Sequence, residues 1–149
     1  MATIPLPPDF KEFLKLLNDH NVRYLLIGGY AVGYHGYVRA TADLDIWIKR
    51  SRPNSERIVK ALREFGFDVD RLSADLFLEE EQVIGMGLPP IRIEVLTSIT
   101  GVEFDKCYET KIKGTWDDLS VNIISLEKLK QNKRASGRYK DLNDLEHLE

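Results

Sequence analysis

Apolar residues recur at helical spacing near the start of the chain, at Phe10, Phe13, Leu14 and Leu17, and the face they form runs to Asn18. Asp9 stands three residues ahead of Glu12, the spacing of a capping box, and predicts a helix opening there, just after Pro7-Pro8. Tyr24-Leu25-Leu26-Ile27 is a short apolar run that stops at Gly28-Gly29, the pattern of a buried strand meeting a tight turn. Tyr30 to His35 predicts a short helix closed by Gly36, and Leu44 to Ile48 a second strand. After Pro53, Ser55 to Phe65 places Ile58, Val59, Leu62 and Phe65 on one helical face, with Gly66 as the stop.

Further on, Gln82 to Met86 predicts a strand broken by Gly87 and Pro89-Pro90, and Ile91 to Leu96 a clearer one. Lys111 to Lys113 and Leu119 to Ile124 add β structure on either side of a loop at Gly114-Thr115-Trp116-Asp117. Ser125 caps a helix to Asn132, Gly137 interrupts, and Lys140 to His147 forms a last helix. With no repeat, low-complexity tract or linker, helices alternating with strands predict one α/β or α+β domain over residues 1–149.

Composition narrows the class. At 43% hydrophobic and 30% charged residues, the 149-residue chain is globular and large enough to bury a core without staples. A formal charge of -3 argues against holding nucleic acid by bulk charge, so RNA is a disfavoured partner. Cys107 is the single cysteine, which excludes an intrachain disulfide and a cysteine zinc cluster. The start lacks the basic and apolar regions of a secretory signal, and no apolar run is long enough to span a membrane. A soluble, cytoplasmic protein is expected.

Asp43 and Asp45 are the most informative pair. Two residues apart on a strand they share a face, about 6–7 Å from each other, with Trp47 following on that face. Leu44, Ile46 and Ile48 take the other. Like charges beside an aromatic wall raise each other's pKa unless a cation sits between them, and hard oxygen ligands suit Mg²⁺. A lone Asp-x-Asp is more often a turn residue and a solvated one. Glu94, mid-strand with Arg92 on its face, is by itself an edge residue or a partner of that arginine; beside the Asp pair it completes a three-carboxylate metal site. Gly28-Gly29 reads either as an ordinary turn or as a close backbone approach for a phosphate.

Taken together, Gly28-Gly29, a short helix, Asp43-Leu44-Asp45 and a later strand carboxylate resemble the nucleotidyltransferase superfamily, the polymerase β-like fold. The run GGYAVGYHGYVRATADLDIWI is similar to antibiotic nucleotidyltransferases and to abortive-infection-type nucleotidyltransferase toxins, and the tail EKLKQNKRASGRYKDLNDLEHL to the end of the toxin-type group. The resemblance spans about Val22 to His147 and implies a mixed β-sheet flanked by helices. It implies transfer of NMP from an NTP such as ATP to a hydroxyl acceptor (a small molecule, a protein or RNA), with release of pyrophosphate. Asp43, Asp45 and Glu94 would hold two Mg²⁺ ions; Gly28, Gly29, Arg39 and Thr41 would contact the nucleotide. Lys133 and Asp141, with Asp144 as a further candidate, would approach the site as catalytic groups. Two departures from the resemblance stand out: Glu94 stands where many relatives carry Asp, and the 149 residues end where longer relatives continue into a helical domain.

Other classes remain open at this point. A nucleotidyltransferase-like antitoxin or regulatory module would act through a partner protein of a toxin–antitoxin pair, and a sensor would bind NTP without turnover. Lys128, Lys130, Lys133, Arg134, Arg138 and Lys140 form a basic stretch, which is either a solvated face, the usual case, or a site for triphosphate or RNA. His20, His35 and His147 lack metal-ligand spacing, nothing marks Cys107 as a nucleophile, and Tyr30, Tyr34 and Tyr37 suit core or pocket-wall packing.

Overall fold

A computed structural model describes residues 5–148. In chain order the elements are α1 (Pro8–Asp19), β1 (Tyr24–Ile27), α2 (Gly28–Tyr34), β2 (Asp43–Ile48), α3 (Arg52–Phe65), a 3₁₀ turn (Ala74–Phe77), β3 (Val83–Leu88) and β4 (Ile91–Leu96). They continue with α4 (Phe104–Glu109), β5 (Ile112–Trp116), β6 (Leu119–Ile123), α5 (Leu126–Ser136) and α6 (Tyr139–Leu148). All six strands join one mixed sheet in the order β3-β4-β2-β1-β6-β5. The pairs β1/β6 and β2/β4 are parallel; β1/β2, β3/β4 and β5/β6 are antiparallel.

The alternation in β2 divides the molecule. Leu44, Ile46 and Ile48 are fully buried in the same apolar cluster as Phe10, Phe13 and Leu17 of α1 and Ile58, Ala61 and Leu62 of α3. Those two helices pack on each other, with the Phe13 and Phe65 rings 5.2 Å apart. Trp47, on the carboxylate face, is also buried, edge-on against Phe104 of α4 at 5.1 Å.

Several boundaries differ from the sequence expectation, each for a local reason. Pro7 rather than Asp9 caps α1 and no side-chain capping bond forms; the fixed φ of Pro8 suits the first helical position, which leaves Asp9 in the first turn. Helix α3 opens at Arg52, where Ser51 Oγ accepts from the Asn54 backbone N–H; Pro53 sits in the first turn, where no intrahelical donor is lost. Strand β3 runs through Gly87, and the break falls at Pro89-Pro90, between the paired Leu88 and Ile91. The expected loop at Gly114–Asp117 is mostly strand. The turn is Asp117-Asp118, both at positive φ (51° and 68°), a two-residue hairpin conformation. Helix α5 continues to Ser136, and α4 was not anticipated, its six residues being too few for a periodic signal.

Candidate active site

Register brings the carboxylates together. In the parallel pair β2/β4, Asp45 stands opposite Glu94 and Asp43 opposite Arg92. One carboxylate oxygen from each of Asp43, Asp45 and Glu94 lies within 4.8 Å of the other two, and all three residues are half-buried. Burial, then the charges of Glu94 and Asp43, push the Asp45 carboxyl up to about 6, against which Lys140 and Lys133 act only in part. Three carboxylates crowded in this way form an all-oxygen donor set that fits a hard divalent cation. Arg92 reaches Glu94 at 3.8 Å, its guanidinium lying over Gly85 on the next strand, where a side chain would block it.

Strand β1 passes straight into α2. Ile27 is paired with Asp45, so Gly28, at φ +70°, opens the helix directly against that carboxylate. A Cβ on Gly28 would overlap Asp45 Oδ2 and stand 2.9 Å from its Cγ; one on Gly29 would stand 2.6 Å from both Thr41 Oγ1 and Cγ2. The two glycines are therefore required by side chains from the β2 end of the chain, whatever else approaches them. The Gly-Gly pair is less a turn than a seam between strand, helix and carboxylate.

The triad lies in a cleft of about 540 Å³, which α5, α6 and the link between them also line through Asn132, Lys133, Ser136, Arg138 and Lys140. Lys133 is buried and donates to Asp141 Oδ1 at 2.9 Å and Asp144 Oδ2 at 3.1 Å. Asp141 also accepts from Ser136 Oγ and, at 2.9 Å, from Arg138 Nε. Burial pushes the Asp141 carboxyl up, but the hydrogen bonds from Ser136, Lys133 and Arg138 outweigh it and hold the group down at about 2. Asp144 is likewise held below its usual range: burial opposes, while the Arg39 and Lys133 bonds prevail.

Of the residues singled out in the sequence, Gly28, Asp43, Asp45, Glu94, Lys133 and Asp141 line this one cleft. Gly29 and Thr41 meet each other behind it, outside its lining. Arg39 is also outside. Its Nε and Nη2 donate to the two Asp144 oxygens at 2.8 and 2.9 Å, so its guanidinium ties the segment before β2 to α6. Lys140, which the sequence offers only as one member of a basic run, lines the cleft as well. It is exposed and has no ion-pair partner among the described residues. Adjacency to Asp141, a buried acid at a helix start, is the signal that sets it apart from the rest of that run.

The sheet, its strand order and the triad define a nucleotidyltransferase fold, and solved structures agree. A nucleotidyltransferase from Thermotoga maritima superposes with a TM-score of 0.63 over 92% of this chain and 88% of its own, at 16% identity. An antigenic nucleotidyltransferase-like protein from Paracoccidioides brasiliensis gives 0.57 over 97% and 78%, at 18% identity. The lincosamide antibiotic adenylyltransferase LnuA, in its lincomycin-bound structure, gives 0.57 over 99% and 98%, at 13% identity. No curated protein sequence matches the chain. The family model for aminoglycoside-2''-adenylyltransferase matches residues 9–148; the chain belongs to that family and is a nucleotidyltransferase. Among the described residues, no helix is long and apolar enough to cross a membrane.

Proposed function

We propose that the protein transfers AMP from ATP to a hydroxyl group of a small-molecule acceptor, in a reaction that requires Mg²⁺. The observation that carries this is the convergence of Asp43, Asp45 and Glu94 in a cleft whose opposite wall is cationic. Those three carboxylates would hold Mg²⁺, which when bound neutralises triphosphate charge and lowers the pKa of the attacking hydroxyl. The acceptor oxygen bonds to the α-phosphorus as the α–β anhydride bond breaks, and pyrophosphate leaves with the electron pair. Glu94, opposite Asp45 on the neighbouring strand, takes the hydroxyl proton. Lys140 and Arg138 meet the triphosphate, Gly28 leaves Asp45 room beside it, and Lys133 holds the cleft wall at a fixed distance from the carboxylates. Asp141 fixes Lys133, while Asp144 fixes both Lys133 and Arg39. Gly29 and Thr41 set the entry of β2. The adenylyltransferase family and the antibiotic-bound LnuA neighbour support ATP as donor and a small acceptor over a protein or an RNA end.

The test is transfer of label from α-³²P-ATP to an aminoglycoside in the presence of Mg²⁺. Asp43→Asn with Asp45→Asn should lower the rate by at least about 100-fold and abolish Mg²⁺-dependent ATP binding while the protein still melts cooperatively. Transfer and ATP affinity that survive the double change would refute the proposal.

A further inference from the structure

Two glycines interrupt the side chains of β3 on the carboxylate face of the sheet. In the antiparallel pair β3/β4, Gly85 stands opposite Glu94 and Gly87 opposite Arg92, so β4 carries charged groups and β3 offers nothing beside them. A glycine inside a strand packs no side chain and loses more freedom on folding than any other residue, so its place there has a cause. At Gly85 the cause is not backbone conformation, since its φ is not in the left-handed region. It is a neighbour. The three heavy atoms nearest to where a Cβ would sit all belong to the Arg92 guanidinium: Nη2 overlaps it, Cζ is at 2.8 Å and Nη1 at 3.2 Å.

The direction that Arg92 takes is equally informative. On the other side of β4, Asp43 of β2 stands directly opposite Arg92, on strands about 4.8 Å apart. An arginine arm spans that gap, and Asp43 makes no hydrogen bond or ion pair among the described residues. Arg92 nevertheless turns toward β3. Its Nη1 donates to the Gly87 carbonyl oxygen at 3.3 Å, and its Nη2 stops 3.8 Å from Glu94 Oε2, beyond hydrogen-bond distance. The charge thus rests beside the triad, while the carboxylate oxygens that converge within 4.8 Å accept no hydrogen bond from it. Arg92 does not belong to the lining of the cleft, so any effect it has on the reaction runs through the carboxylates.

We propose that Gly85 is a positioning residue for the metal site, acting through Arg92. By leaving β3 bare it gives the guanidinium a resting place on the strand away from Asp43, so the arginine does not fill the carboxylates that receive the cation. A side chain at position 85 displaces the guanidinium, and Asp43, directly opposite and unpartnered among the described residues, is the acid that takes it. An arginine bonded there competes with a divalent cation for the same oxygens. This rests on the metal-site reading and adds to it how a cation built into the neighbouring strand is kept out of that site.

Uptake of Mn²⁺ by the full chain without nucleotide, read from the loss of the free-ion EPR signal, tests it beside the Mg²⁺ dependence of the transfer rate. Gly85→Ala should weaken Mn²⁺ binding at least about tenfold and raise the half-saturating Mg²⁺ concentration by a similar factor. Adding Arg92→Gln should restore Mn²⁺ affinity to within about threefold of the parent, and Arg92→Gln alone should bind Mn²⁺ no more weakly than the parent. That suppression is what a structural role does not produce: a glycine needed only for strand packing would leave the double variant as impaired as Gly85→Ala. Should Gly85→Ala fail to melt cooperatively, the double variant, which has no guanidinium to displace, must still fold and bind Mn²⁺ as the parent does. A Gly85→Ala protein with parental Mn²⁺ affinity, or a loss that Arg92→Gln does not relieve, would overturn the proposal. Failure of the metal-site reading shows separately, as a parent that takes up no Mn²⁺ or whose uptake survives Asp43→Asn with Asp45→Asn, and the proposal falls with it.

Discussion

Gly28→Ala separates two reasons for a glycine at the end of β1. At φ +70° an alanine occupies the left-handed region, which costs about 1–2 kcal/mol for a residue with a Cβ. The new Cβ would in addition overlap Asp45 Oδ2 and press on Asp45 Cγ at 2.9 Å, so that carboxylate must turn away. Turning it breaks the arrangement that keeps three ligand oxygens within 4.8 Å. Stability should fall by about 1–3 kcal/mol, a drop of roughly 3–10 °C in melting temperature for a chain of this size. The transfer rate should fall at least about 100-fold, with a raised Mg²⁺ requirement. Gly66→Ala supplies the control. Gly66 caps α3 at φ +107°, and nothing lies within 4 Å of where its Cβ would be. That variant should lose stability and keep its rate. Urea melts and initial rates across a Mg²⁺ titration measure both. A Gly28→Ala protein with a rate within threefold of the parent at saturating Mg²⁺ would refute the claim that the glycine serves the Asp45 carboxylate.

Three further outcomes follow from the charged wall. Asp144→Asn removes the negative charge that Arg39 and Lys133 share in a fully buried position; urea melts should show a loss of about 3 kcal/mol, and a loss below 1 kcal/mol would mean the network does not anchor α6. Asp141 is held at about 2 when folded against 3.8 otherwise, so its contribution is present above about pH 4 and disappears as pH falls toward 2. The parent should lose about 2 kcal/mol more than Asp141→Asn over that window, read from urea midpoints at several pH values. Lys140→Gln should raise the KM for ATP about tenfold, more at low than at high salt, with little change in acceptor affinity; a KM indifferent to the change would remove Lys140 from the triphosphate.

How much of this was legible in the sequence depends on whether the cause was local. The alternation around Asp43 and Asp45 could be read because Leu44, Ile46 and Ile48 face a core that tolerates nothing polar. The extent of β5 could not be, because Gly114 and Thr115 look like turn residues until β6 pairs with them. The pairing of Asp45 with Glu94 is set by a crossover of nearly 50 residues, and no spacing rule encodes it; a mid-strand carboxylate suggested that the two would meet, and the resemblance to a known family strengthened the suggestion.

Arg39 shows the same limit at the level of chemistry. Beside an Asp pair, an arginine reads as a phosphate ligand. Asp144 lies 105 residues away in sequence, is buried, and needs a cation; Arg39 meets that need with both arms of its guanidinium. Lys133 is committed in the same way to Asp141 and Asp144. Of the basic groups near the cleft, these two hold the wall in place. In the proposed reaction the triphosphate is left to Lys140, which is exposed and unpaired among the described residues, and to Arg138, whose side chain is 77% exposed beyond its single bond to Asp141. A buried acid thus decides which cation is free to bind substrate. That decision is made by packing α6 against the segment before β2, a contact that neither stretch of sequence announces alone.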